Sequence, residues 1–187
     1  VTASSFDNSV ISGHTALAAT PADTDEFLIS DAGTIKRIDY SLIKTTNTPA
    51  FHATMSGNQD LPNNTATKVD FDTEVFDTDS DYDTTNKRFL PTVSGKYFIT
   101  FSMSLSSGAS IGGVEVKLRK NGTDVYITEQ AHYYGNAAQT YVISGIISCN
   151  GSSDYIEAFA EQDRGSTAPI QGTTTQSFFQ GFKLIGA

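Results

Sequence analysis

Four aspartates alternate over a short stretch: Asp77, Asp79, Asp81 and Asp83. Carboxylates spaced this way could ligate a hard cation such as calcium, which takes oxygen donors from irregular loops. An EF-hand counted from Asp77 would need Gly at its sixth position and Glu at its twelfth, where Tyr82 and Arg88 stand. The preferred reading is an acidic, solvated turn in which Asp77 and Asp83 bond local backbone amides. No cofactor is expected, and calcium is the one cation a looser site would suit. Gly108-Ala109-Ser110-Ile111-Gly112 fits the nucleophile-elbow pattern. That elbow needs a helix after the serine, whereas an alternating run from Val114 follows, so the segment reads as a Ser/Gly-rich loop. His14, His52 and His132 lie far apart with no metal or triad spacing. A depolymerase would need a paired-carboxylate cleft, for which Glu157, Glu161 and Asp163 are the only neighbouring acids to nominate. The chain is therefore read as no enzyme. Tyr133-Tyr134-Gly135-Asn136 and Gln162-Asp163-Arg164-Gly165 read as loop tips. Tyr133, Tyr134, Asn136 and Arg164 are the candidate ligand-binding residues, since such side chains stack on and hydrogen-bond sugar or protein surfaces.

The elements that must carry these residues are strands. The 187 residues include 12 Phe and 8 Tyr, with only 18% charged, and Ser plus Thr make up roughly a quarter. Aromatic and β-branched residues in that proportion suit a pleated, half-buried surface, and the aromatics are too many for a disordered segment. A net charge of -9 disfavours nucleic acid, which calls for a basic stripe. No apolar run is long enough for a membrane-spanning helix, so no membrane insertion is expected. A lone Cys149 leaves no intramolecular disulfide and reads as a small buried hydrophobe. No basic, apolar leader stands at the start, and Val1 is read as the mark of processing or of a fragment.

Two parts are expected. Residues 1–48 form an arm, with a β-hairpin over about 26–40: Glu26 to Ser30 and Thr34 to Tyr40 flank Asp31-Ala32-Gly33. Such a hairpin is marginal alone and must pack on something. Residues 49–187 form the head. Tyr97, Ile99, Phe101, Met103 and Leu105 share one strand face, as do Val114, Val116 and Leu118. Asn121-Gly122 between alternating runs signals a type I′ hairpin. Further strands are read at Tyr141 to Cys149, Asp154 to Ala160 and Ser177 to Ile185. Evenly spaced strands without helical periodicity indicate an all-β sandwich or jelly roll. The sequons at Asn63, Asn121 and Asn150 are read as turns, two of them Asn-Gly.

The segment Phe71 to Phe101 resembles the signature of the C1q-like domain in the C1q/tumour-necrosis-factor jelly-roll superfamily. Phe71, Asp77, Tyr82, Phe89, Gly95, Tyr97 and Phe101 fall in register, with Ile99 where the family usually has Phe. Pro49-Ala50-Phe51, Leu118 to Gly122 and Phe179-Gln180-Gly181-Phe182 resemble its opening strand, central hairpin and closing strand. The resemblance covers residues 49–187 and implies a jelly-roll β-sandwich forming a homotrimer, with one sheet of each protomer packed around a threefold axis. Phe51, Phe159 and Phe179 are expected at that interface, the protomer's own core being the alternative for each. Some members bind calcium.

The arm, over Thr20 to Tyr40, resembles a segment of structural proteins of marine bacteriophages. This implies a virion component, joined to other virion proteins through the arm. Its trimeric head would act as a fibre or spike tip for host-surface attachment, through a bacterial glycan or protein receptor. The alternatives are a capsid or tail decoration that only caps the assembly, and a secreted bacterial C1q-like adhesin.

Overall fold

The computed structural model describes residues 13, 15–44, 46–106, 112–132, 138–172 and 175–186, without the side chain of His132. The chain divides into two compact units, Val1–Thr46 and Asn47–Ala187. The described residues contain no α-helix; one 3-10 turn, Tyr40–Leu42, follows the hairpin of the first unit.

In that unit β1 (Glu26–Asp31) pairs antiparallel with β2 (Thr34–Asp39) in unbroken register, Glu26 opposite Asp39 and Asp31 opposite Thr34. Ala32 and Gly33 turn the chain with φ 49° and 86°, the two positive φ values a type I′ turn demands. Arg37 and Glu26 close across the strands at 2.8 Å, and Lys36 pairs with Asp31.

The second unit is a two-sheet sandwich. Its strands run β3 (Ala50–Thr54), β4 (Gln59–Leu61), β5 (Thr67–Lys68), β6 (Thr73–Asp77), β7 (Tyr82–Asp83), β8 (Arg88–Phe89), β9 (Gly95–Leu105), β10 (Gly112–Lys120), β11 (Thr123–His132), β12 (Gln139–Cys149), β13 (Ile156–Gln162), β14 (Ala168–Gln171) and β15 (Phe178–Lys183). The six-stranded sheet has the order β11-β10-β13-β8-β7, with β5 also on β13. The seven-stranded sheet has the order β4-β14-β9-β15-β3-β6, with β12 along the other edge of β9.

Alternation decides which side chains fill the sandwich. Along β9, Tyr97, Ile99, Phe101, Met103 and Leu105 are fully buried; Val114, Val116 and Leu118 of β10 meet them from the other sheet. Rings dominate the centre. Phe51 stacks on Phe89 at 4.3 Å and meets Phe179 edge-on at 5.0 Å, and Phe89 meets Tyr97 edge-on at 5.4 Å. Such pairs add to the burial of ring area itself. Tyr82 donates its hydroxyl to the carbonyl of Phe71 at 2.7 Å, so a buried polar atom is satisfied.

The β10–β11 turn is pinned rather than free. Asn121 and Gly122 take φ 53° and 77°. The Asn121 side chain donates to Asp154 at 2.7 Å and accepts from the Tyr155 amide at 2.9 Å. Asp154 also takes the Asn150 amide and Lys120 Nζ, each at 2.8 Å. Lys120 and Asn121 hold its carboxyl below the usual carboxylate range. Asn150 in turn accepts from the amides of Ser152, Ser153 and Asp154. Both Asn-Gly asparagines are thus consumed by turn hydrogen bonds.

Two outcomes follow from this packing. Phe89→Ala removes the ring at the centre of the aromatic cluster and is expected to cost about 3–5 kcal/mol, read as a lower urea midpoint at unchanged slope. Asp154 has a folded pKa below its unfolded one, so its stabilisation is present above the unfolded carboxylate pKa and is lost as pH falls through the folded value. Below about pH 4 the wild-type urea midpoint therefore falls with pH, and Asp154→Asn shows a lower midpoint at neutral pH and a shallower acid decline.

Candidate functional site

Strand alternation that fills the core also decides what the other side of each sheet carries. On the outer face of the seven-stranded sheet, Ile146, Phe98, Phe182 and Ala50 lie in one cross-strand row. Ser144, Thr100, Gln180, His52 and Phe76 form the next. Val142, Ser102, Phe178 and Thr54 form a third. His52 is stacked between Phe76, at 6.1 Å, and Phe178, at 5.8 Å, and its Nδ1 lies 2.8 Å from Gln180 Oε1. Phe98 and Phe182 meet at 5.8 Å. Phe76, Phe98 and Phe182 line a shallow groove of about 160 Å³ whose floor is Phe51 and Gly181. Phe76 and Ile146 are each about half exposed, at 49% and 50%. No ion pair among the described residues lies on these rows.

Exposed apolar residues also sit on the edge strand β11: Ile127 opposite Lys117 on one face, Tyr126 opposite Leu118 on the other, and Val125 beside them. Tyr126 ties this edge to the other sheet: its hydroxyl donates to the Ile146 carbonyl at 3.0 Å, and its ring lies over Gly145. A Cβ at position 145 would come within 2.4 Å of that ring, so only glycine permits the contact.

The outer face of the six-stranded sheet is built in the opposite way. Lys117 pairs with Glu115 at 2.6 Å and Glu161 at 2.9 Å, Lys68 pairs with Glu157, and Arg119 pairs with Asp124 at 2.5 Å. Burial alone would lower the Lys117 ammonium; its hydrogen bonds to Glu115 and Glu161 override that and hold it above the usual lysine range. Asp163 accepts from the Gly113 amide. The acids nominated for a hydrolytic cleft are therefore taken up in ion pairs and a backbone bond.

The expected interface residues divide between these places. Phe51 and Phe179, at 1% and 0% exposure, are corrections to the interface assignment. Both point into the protomer's own sandwich, because their strand positions share the inward phase with Ala53 and Gly181. Phe159 is also displaced: it lies on the charged outer face, under the Arg119 guanidinium at 3.9 Å and beside Lys68 at 5.9 Å, where cation–π contact covers its ring. Arg164 is not a loop-tip contact. It is 5% exposed, donates Nη1 to the Ser106 carbonyl at 3.1 Å, and has its amide bonded to Gln162 Oε1 at 2.8 Å. Tyr133, Tyr134 and Asn136 lie outside the described residues, as do residues 108–111 of the Gly-x-Ser-x-Gly segment; Gly112 opens strand β10.

The alternating aspartates turn to separate partners. Asp77 accepts from the Tyr82 amide at 2.6 Å and the Asp79 amide at 3.3 Å. Asp81 is buried and accepts from the Thr92 amide at 2.9 Å. Asp83 caps Thr85 and Asn86, and the Asn86 bonds hold its carboxyl below the usual range. Among the described residues no group of three or more His, Cys, Asp or Glu is arranged to hold a metal ion. The sequence did not single out Phe76, Phe98, Val142 and Ile146, and it marked Phe182 only as part of a closing strand and His52 only as a histidine without metal or triad spacing. The signal for Phe98 was present in its phase, opposite to that of Tyr97 and Ile99.

No curated protein matches the chain. Among solved structures, murine APRIL at pH 5.0 is similar with a TM-score of 0.55 at 13% identity, covering 72% of this chain and 98% of that one. The globular domain of zebrafish complement 1qA protein is similar with a TM-score of 0.50 at 15% identity, covering 73% of this chain and 98% of that one. Likeness at such identities concerns the fold. Residues 50–184 match the family model of the C1q domain, which is well over half of the sequence. The chain belongs to the C1q domain family.

Proposed function

We propose that this protein is a non-enzymatic, homotrimeric binding head, carried on a bacteriophage particle and used for attachment to the host surface. The observation that carries the oligomeric reading is the aromatic outer face of the seven-stranded sheet, whose three central rows hold no charged side chain, set beside exposed apolar residues on the β11 edge. An apolar face of this kind marks an interaction surface. A twofold contact would use one patch on itself, whereas a closed ring uses two different patches on each subunit. The face and the edge supply two. The β11 edge of one copy packs against the aromatic face of the next, and the count of three comes from the C1q-like resemblance. Phe98, Phe178 and Phe182 would become the buried centre, the part of an interface where aromatic residues carry most of the energy.

Attachment to other virion proteins through residues 1–48, and placement on the virion, rest on the arm's resemblance to marine phage structural proteins. Receptor binding would be multivalent: three identical sites on one rigid head raise effective concentration without any new contact. The second reading, a decoration that caps the particle without receptor work, is favoured by the net charge of -9, which repels an anionic cell surface.

Size exclusion with light scattering is expected to give about 60 kDa, three times the 20.0 kDa chain. A single-chain mass would overturn the trimer. Phe182→Glu puts a carboxylate into the centre of the interface, and is expected to yield a folded species of one chain, since an unpaired buried charge is strongly unfavourable. In a cell-adsorption assay, wild-type heads are expected to bind host bacteria and compete with phage adsorption, and the Phe182→Glu monomer to lose retention by at least about tenfold. Trimeric heads that neither bind cells nor compete would favour the capping role.

A further inference from the structure

The N-terminal hairpin is unlike the head in one respect: among the described residues its unit gives it little cover beyond the Tyr40 ring, 6.1 Å from that of Phe27. All six residues of β1 and five of the six in β2 are exposed, although Phe27, Leu28, Ile29 and Ile35 are apolar. Two-stranded hairpins of this kind are marginal in water and need a partner. The register assigns the two faces. Phe27 stands opposite Ile38 and Ile29 opposite Lys36, so one face carries Phe27, Ile29 and Ile38, with the Lys36–Asp31 ion pair toward the turn. The other face mixes Leu28 and Ile35 with Glu26, Ser30, Arg37 and Asp39. The first is the face to bury.

The strand edges add a second, independent demand. Among the described residues each strand pairs only with the other, so among them both outer edges present backbone groups without a strand partner. Of the devices that usually blunt an edge, proline and bulge are absent from both strands, and the cationic side chains are Lys36 and Arg37 of β2. The charges do not oppose a neighbour, because Arg37–Glu26 and Lys36–Asp31 are neutralised inside the hairpin.

A second copy of the same hairpin answers both demands. In a ring of identical hairpins β1 runs one way and β2 the other, so β2 of one copy lies beside β1 of the next in antiparallel orientation all the way round. Closure removes every open edge. The tether makes this encounter frequent: only the ten residues 40–49 separate β2 from β3, a reach of at most about 35 Å. Heads already joined would hold their arms at high effective concentration.

We propose that the hairpins of three copies join edge to edge, β2 of one to β1 of the next, into a closed six-stranded ring with Phe27, Ile29 and Ile38 turned inward. This rests on the trimeric reading of the head.

The test is a cross-link in the full chain. Ile29→Cys places a thiol on the inward face of each arm. The native Cys149 is buried, and burial pushes its thiol up to about 11, so it stays inert to maleimide near neutral pH. A short bismaleimide is expected to give covalent dimer as the main band, unchanged on dilution and absent from the wild-type chain. Adding Ile38→Asp is expected to abolish the band while light scattering still reports three chains. A three-chain mass without cross-linking overturns the arm ring and leaves the trimeric head standing. A one-chain mass without cross-linking overturns both.

Discussion

A sandwich of two sheets can cover only the inner face of each, and everything else in this head depends on how the two remaining faces are finished. One is made wet. Lys68, Lys117 and Arg119 stand among Glu115, Glu157, Glu161 and Asp124, and the rings of Phe159 and Tyr155 each lie beneath a guanidinium. Lys117 and Glu157 are buried, so losing one partner of these pairs would strand a charge, and together the pairs make the face a poor partner for an apolar surface. The other is left dry. Phe76 and Phe178 flank a histidine whose polar contact is to Gln180, and Phe98 meets Phe182 in the neighbouring row. Identical backbone geometry on the two sheets thus yields two surfaces with opposite affinities for water, and the choice is made entirely by which side chains occupy the outward phase.

Much of this was legible where strands were long. Over β9 and β10, period-two alternation in the sequence already separates Tyr97, Ile99, Phe101, Met103 and Leu105 from their neighbours, and all five are buried. Asn121-Gly122 likewise declares its turn, because both residues tolerate positive φ, and both adopt it. Short strands hide their phase. β4, β5, β7, β8 and β14 have two to four residues, too few to show a period, and they are held by neighbours far away in sequence. Phe51 and Phe179 illustrate the limit from the other side. Hydrophobicity alone marks them as candidates for any buried surface, and only the pairing of β3 with β15 and β9 shows that this surface is the protomer's own core.

Phe159 and Arg164 were illegible for a different reason. Along β13 the inward phase is held by Ile156, Ala158 and Ala160, so Phe159 must point out. The residue that makes that position tolerable, Arg119, is a pairing partner's side chain forty positions earlier, and no local pattern reveals it. Arg164 sits in a stretch of polar and glycine residues that reads as loop. Its burial depends on Gln162, whose amide is itself fully buried and donates to the carbonyls of Leu61 and Ser166. A buried polar network of this kind is satisfied only as a unit. Sequence shows the members and conceals the connections.

Charge then separates assembly from recognition. Three chains at -9 carry -27, yet that charge is absent from the aromatic rows where copies would meet. Screening at physiological salt acts over about 8 Å, so repulsion between protomers as they approach is short-ranged, while contact at the apolar face meets no like charge at all. The same argument gives the outside of the assembly a different task. An anionic head approaching an anionic cell gains nothing from long-range attraction. On the proposed attachment reading, recognition of a host would come from short-range contacts repeated three times rather than from the field of the protein as a whole.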